Sequence, residues 1–184
     1  QMPVPQQSDT GALVAMIERA ARDPSVDLDK MQRLFEMHER MQERQARAAY
    51  MQAFAEMQPK MPAIGRNGEI STNVKDDQKR VVGQKPQSKY ALWEDIDAAI
   101  RPVITAHGFA LSFRVQQTAD RLTVRAVLAH RGGHAEETEV SLPIDTSGSK
   151  NNVQGWGSSL SYGKRYSTMA LLNIVSRGED DDGK

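Results

Sequence analysis

Five polar residues between Ser158 and Thr168 could do chemistry on a phosphate backbone: Ser158, Ser161, Lys164, Arg165 and Thr168. At about 100° per residue, counted from Leu160, they cluster between about 40° and about 160° around a helix. Two cations and three hydroxyls on one face can all donate hydrogen bonds to phosphate oxygens. Leu172 intrudes near the end of the stripe. Trp156, Tyr162, Gly163, Tyr166, Ala170, Leu171 and Ile174 fill a wide, mostly apolar arc, so the helix is expected to be buried except along the stripe. Ser147, Ser149, Lys150 and Asn151 stand just before it, and the unpaired N–H groups of a helix start make this a candidate anion cradle. An ordinary solvated helix face has the same pattern, and periodicity does not separate the two.

Other constellations point away from nucleotide or metal chemistry. Gly157 to Lys164 resembles a phosphate-binding loop, but five residues rather than four separate its glycines, and Arg165 stands where Ser or Thr should hold magnesium. ATP use is therefore not expected. Gly155-Trp156-Gly157 lacks the third glycine of a dinucleotide fingerprint, and no strand directly precedes it. His130 and His134 flank a turn without a third ligand nearby. Glu179, Asp180, Asp181 and Asp182 offer the hard oxygens that magnesium takes, and are equally a solvated acidic tail. No cofactor is expected otherwise.

The chain around these residues has 184 positions and no cysteine, so disulfides and thiolate metal sites are excluded, in keeping with a reducing cytosol. Neither a bilayer-spanning apolar stretch nor a signal-peptide pattern is present, so no membrane partner is expected. Net charge is zero, but residues 60–176 carry 15 Lys and Arg against 11 Asp and Glu, while both flanks are acidic. A mildly basic middle suits a polyanionic ligand, because the local field steers it.

Organisation follows from periodicity. Residues 1–9 read as a disordered start. Residues 10–58 form a helical arm, with one helix ending at Asp23-Pro24-Ser25 and a second running from about Leu28 to Met57. A helix of roughly 30 residues is long for a globular domain. It packs on another chain as an oligomerisation element, or folds back on its own domain. Seven of the nine methionines precede Lys60, which suits a repackable surface.

Residues 60–176 read as an α+β core, followed by an acidic tail over residues 177–184. Asn67-Gly68 predicts a tight hairpin turn. Val81-Val82 is a candidate short strand. Leu92 to His107 predicts a helix that Pro102 should kink or split, closed by Gly108. Three alternating strands then form an antiparallel meander. Keeping one face inward requires an odd-numbered turn at Arg131-Gly132-Gly133, which places Arg125 opposite Glu139. Arg114, Arg121 and Arg125 on the outer face offer a second strand-holding surface, or pair with Glu137 and Glu139. Tyr90 is a candidate base-stacking ring, or a core residue. The final helix spans about Asn152 to Ile174.

Several motifs occur together and in order: Tyr90-Ala91-Leu92-Trp93-Glu94-Asp95-Ile96, His107-Gly108-Phe109, Asp145-Thr146-Ser147-Gly148-Ser149-Lys150-Asn151, Ser161-Tyr162-Gly163-Lys164-Arg165-Tyr166 and Gly178-Glu179-Asp180-Asp181-Asp182-Gly183. This set resembles the ERF (essential recombination function) family of phage and prophage single-strand annealing proteins, from about Val26 to Gly183. The resemblance implies a β-β-β-α annealing core, single-stranded DNA binding, ATP-independent pairing of complementary strands without covalent catalysis, and assembly into rings or helical filaments. It also implies the cytoplasm of a bacterial host, and host single-strand-binding protein as a further partner. By the family motif, Lys164 and Arg165 are the leading backbone contacts; Ser149, Lys150 and Asn151 follow. Two rival readings are a metal-dependent nuclease using the terminal acids, and a structural oligomer that does not bind DNA.

Overall fold

The computed structural model describes residues 9–22, 27–78, 80–144 and 151–175. The chain divides into two compact units, residues 1–44 and residues 45–184. In the first, α1 spans Asp9–Arg22. Helix α2 spans Leu28–Met57, the bounds that periodicity predicts, and so runs on into the second unit. Asp27 starts α2: its Oδ1 accepts the backbone N–H of Asp29 at 3.1 Å and of Lys30 at 3.2 Å. These first-turn donors have no partner inside the helix, which is why an acidic cap suits the position.

The second unit is built on an antiparallel sheet of β3 (Phe109–Gln117), β4 (Arg121–His130) and β5 (Ala135–Pro143), in that order. Its register places Arg125 opposite Glu139, as the turn arithmetic requires. The His130 N–H donates to the His134 carbonyl at 2.8 Å, so Arg131, Gly132 and Gly133 form the loop, and Gly133 takes the positive φ of 93°. Side chains alternate across a strand. Leu122, Val124, Ala126 and Leu128 of β4 accordingly share one face and are fully buried.

Helix α4 (Asn152–Leu172) packs on that face across β4 and β5, and α3 (Trp93–Ala106) lies against β3 and α4. Pro102 does not split α3. Both Ala98, whose carbonyl loses its helical donor, and Pro102 lie on the exposed side, where water can take the place of the missing bond. The core joins Ile96, Ile100 and Ile104 of α3 to Phe109, Leu128, Leu172 and Ile174, and draws Tyr50 and Met57 from the end of α2. After α2, the Gln58 side chain donates to the Leu172 carbonyl at 2.7 Å, satisfying an orphan acceptor at the end of α4.

The hairpin differs from the sequence expectation. Strands β1 (Gly68–Lys75) and β2 (Val81–Tyr90) form a two-stranded sheet whose turn lies after Lys75, not at Asn67-Gly68. Asp76 makes that turn: its Oδ1 accepts the N–H groups of Gln78 and Arg80 at 2.9 and 2.8 Å. An aspartate side chain can thus replace the Asn-Gly pair as the turn device. Asn67 instead donates to Asp95 Oδ2 in α3 at 2.8 Å. Gly68 clears room for the Tyr90 ring, since a Cβ there would lie 2.7 Å from its Cζ. Val81 and Val82 begin a ten-residue strand rather than forming a short one.

Candidate nucleic-acid interface

The polar stripe of α4 is not a continuous solvent-facing surface. Ser161 is exposed and Ser158 and Lys164 are half-buried, whereas Thr168 is fully buried and Arg165 is only 6% exposed. The helix is covered on two sides. Gly155, Ser159, Gly163 and Ser167, a row of small buried residues four apart, lies on one side, with Gly163 against Val124 of the sheet. On another side, Arg165, Thr168 and Leu172 are enclosed. Angular position fixes which residues share a face, but not which neighbour covers each turn. Leu172, the intruder in the stripe, belongs to the core and marks the end where the stripe turns inward. Thr168 Oγ1 has no hydrogen-bond partner among the described residues.

Lys164 and Arg165 are consecutive, hence turned about 100° apart, and each cation sits on its own aromatic seat. Lys164 Nζ lies 5.4 Å from the ring centroid of Phe113 in β3 and 6.0 Å from that of Trp93 in α3. Those two rings meet edge to face at 5.2 Å. The Arg165 guanidinium lies 4.3, 4.8 and 5.0 Å from the centroids of Tyr162, Tyr90 and Tyr166. Its Nη1 donates to the Ala91 carbonyl at 3.1 Å. Neither cation pairs with a carboxylate among the described residues. Burying a positive charge is costly unless it is compensated. Cation–π contacts of about 0.5–2 kcal/mol each and one carbonyl offset part of that cost, and no counter-ion stands beside the charge among the described residues. Such a seat holds positive potential ready for an anion.

The remaining candidates lie elsewhere. Asn151 caps α4: its side chain accepts the Gln154 N–H at 2.8 Å, and its own N–H donates to the Gln154 side chain at 3.1 Å. That reciprocal pair occupies two of the donors the anion cradle was to use. Lys164 lies 13 residues further on, about 20 Å along the axis at about 1.5 Å per residue. Arg125 points to the sheet face opposite α4, as alternation from Val124 dictates. It bridges Glu137 at 3.1 Å and Glu139 at 2.7 Å, and these carboxylates raise its pKa, chiefly through the hydrogen bond to Glu139. Tyr90 is half-buried between Gly68 and Arg165. Ser147, Ser149, Lys150, Glu179, Asp180, Asp181 and Asp182 lie outside the described residues.

Sequence reasoning missed the aromatic seats. Tyr162 and Tyr166 fall on the apolar arc of the helical projection, and the available signal is that Tyr162 stands three residues before Arg165 and four before Tyr166, spacings at which helix side chains are neighbours. Trp93 and Phe113 come from separate elements, and nothing local links them to Lys164.

The ERF superfamily's sequence pattern matches residues 50–184. The chain belongs to the ERF superfamily. That family comprises phage single-strand annealing and recombination proteins, and the match takes in every element from the last turns of α2 to α4. We find no match among characterised proteins or among solved structures. Within this ERF-superfamily chain, no group of three or more metal-ligating side chains comes together among the described residues. No helix among them is long and apolar enough to cross a membrane.

Proposed function

We propose that this ERF-superfamily protein binds single-stranded DNA through α4 and anneals complementary strands without ATP, acting as a homo-oligomer in the cytoplasm of a phage-infected bacterium. The observation that carries the reading is the pair Lys164 and Arg165: adjacent cations on rigid aromatic seats, without carboxylate partners among the described residues. Annealing requires that one strand's phosphates be neutralised while its base edges stay free for a second strand. Cations fixed on a helix meet that need, because they act on the backbone and carry no sequence information. Lys164, half-buried, is the direct phosphate contact, while Arg165 supplies positive field from beneath its tyrosines. Neighbouring subunits in a ring or filament extend the groove, and host single-strand-binding protein is a further partner. No covalent step is needed.

The test is a salt titration of affinity for a labelled oligothymidylate, comparing the unaltered chain with Lys164→Gln. Each phosphate contact contributes about 0.7 to the slope of log affinity against log salt for a single strand. Lys164→Gln is expected to weaken binding at low salt and flatten the slope by about that amount. Equal affinity and equal slope, with an unchanged thermal unfolding curve, sink the assignment.

A further inference from the structure

Tyr166 is the outermost member of the cluster around Arg165. The residue is 47% exposed. Behind it, Tyr162 stacks at 5.8 Å with planes 28° apart, and the Arg165 guanidinium lies 5.0 Å from its centroid. The ring is not taken up into the core, although its neighbours hold it in place. Its neighbours fix its orientation. Tyr162 is one helical turn earlier, and Arg165 is itself held by the Ala91 carbonyl and by Tyr90. An aromatic ring held by its neighbours and still about half exposed to water is suited to stacking on a further ring. The guanidinium below it adds positive charge that no carboxylate among the described residues cancels.

We propose that Tyr166 is a stacking platform for a nucleobase of the bound single strand, an inference that rests on the single-strand-binding reading above. Stacking uses the face of the base and is tolerant of sequence, because every base has a π-face. It leaves the hydrogen-bonding edge of the base free, which is what pairing with a second strand demands. Tyr90 does not serve this role: it is half-buried against Gly68 and Arg165, and braces the cluster from the hairpin side. Tyr166 takes a base, and Lys164, two residues earlier and so about 160° away around the helix, takes phosphate at a separate point of the strand.

The experiment separates base from backbone. Affinity at low salt is measured for a labelled oligothymidylate and for an abasic strand of equal length, which keeps the phosphates and lacks the bases. Tyr166→Ala is expected to weaken oligothymidylate binding about fivefold or more while leaving the abasic strand unchanged. Tyr166→Trp, which enlarges the face, keeps or strengthens the thymidylate complex. Thermal unfolding of each variant shows that the fold is retained, and Tyr166→Leu serves as the second apolar variant should the alanine protein be unstable. Equal losses on both strands, or no loss on either, overturn the platform while leaving the phosphate contacts standing. An unaltered chain that binds neither strand overturns the single-strand-binding reading itself.

Discussion

A Cβ atom at Gly163 of α4 would stand 2.4 Å from Cγ2 of Val124 in β4 and 2.7 Å from its Cβ. Helix and sheet therefore approach more closely here than any side chain would allow. Ser159 reinforces the approach by donating to the Pro143 carbonyl of β5 at 3.0 Å. The closeness fixes the height and rotation of the next two residues, Lys164 and Arg165, the pair on which the proposed strand binding rests.

Gly163→Ala is accordingly expected to destabilise the fold by about 1–3 kcal/mol, the usual range for inserting a methyl group into a packed contact. A urea titration reads this as a lower midpoint at an unchanged slope. Adding Val124→Ala should leave the double variant less destabilised than the sum of the two single ones, because it removes Cγ2, the nearer of the two colliding atoms. If the double variant is no better than the sum of the two single ones, the contact is not the cause.

Arg125 should contribute little to DNA binding. Its charge is answered by two carboxylates, and it lies on the sheet face away from α4. Arg125→Gln is expected to change oligothymidylate affinity by less than about threefold, a charge outside the contact being largely screened beyond about 10 Å at 0.1 M salt. A double-mutant cycle of Arg125→Ala with Glu139→Ala should show only weak coupling in stability, as solvent screening dictates for exposed ion pairs. A loss of binding as large as that of Lys164→Gln would make the outer sheet face a second strand-holding surface.

Tyr50 gives the fold an alkaline limit. Burial, helped by the nearby charge of Glu136, pushes its phenol up to about 12 from the ordinary 10. The folded state therefore holds this proton where the unfolded chain releases it. Stability from this group is complete below about pH 10, and is lost as pH rises through about 12. Tyr50→Phe removes the titrating group and keeps the ring that meets Phe109 edge to face at 5.1 Å. The urea midpoint of the variant should fall less steeply above pH 10 than that of the unaltered chain. Parallel falls would mean that other groups dominate.

Local periodicity reveals much of this fold and little of its site. The bounds of α2, the three-residue loop at Arg131 and the Arg125–Glu139 register are readable because each depends on neighbours in sequence. The hairpin turn is not legible locally, because Asn67-Gly68 suits two roles, a turn and a close crossing, and only the long-range partners Asp95 and Tyr90 select the second. The same limit applies to Arg165. A cation at that position on a helix looks solvent-facing until Ala91 and Tyr90, more than 70 residues earlier, are placed against it. The family motif points to Lys164 and Arg165, but it does not say that one is half-buried on a Trp–Phe seat and the other enclosed by tyrosines.

Asn151 offers the sharpest separation of a structural from a DNA-binding role. As the cap of α4 it needs only a side-chain oxygen facing the Gln154 N–H, and aspartate provides one. A negative charge at a helix start is favourable by about 0.3–1 kcal/mol, so Asn151→Asp should keep or raise the unfolding temperature. Asn151→Ala, which loses the acceptor, should cost about 1 kcal/mol. A phosphate seated at this helix start would be repelled by the new carboxylate. At about 20 Å from Lys164 and beyond the Debye length of about 8 Å at physiological salt, the charge is otherwise screened from the cation pair. Asn151→Asp is therefore expected to leave oligothymidylate affinity at physiological salt within about twofold of the unaltered chain. A drop of about tenfold or more, beside an intact or raised unfolding temperature, would instead place the strand across the start of α4, because no loss of folding could account for it.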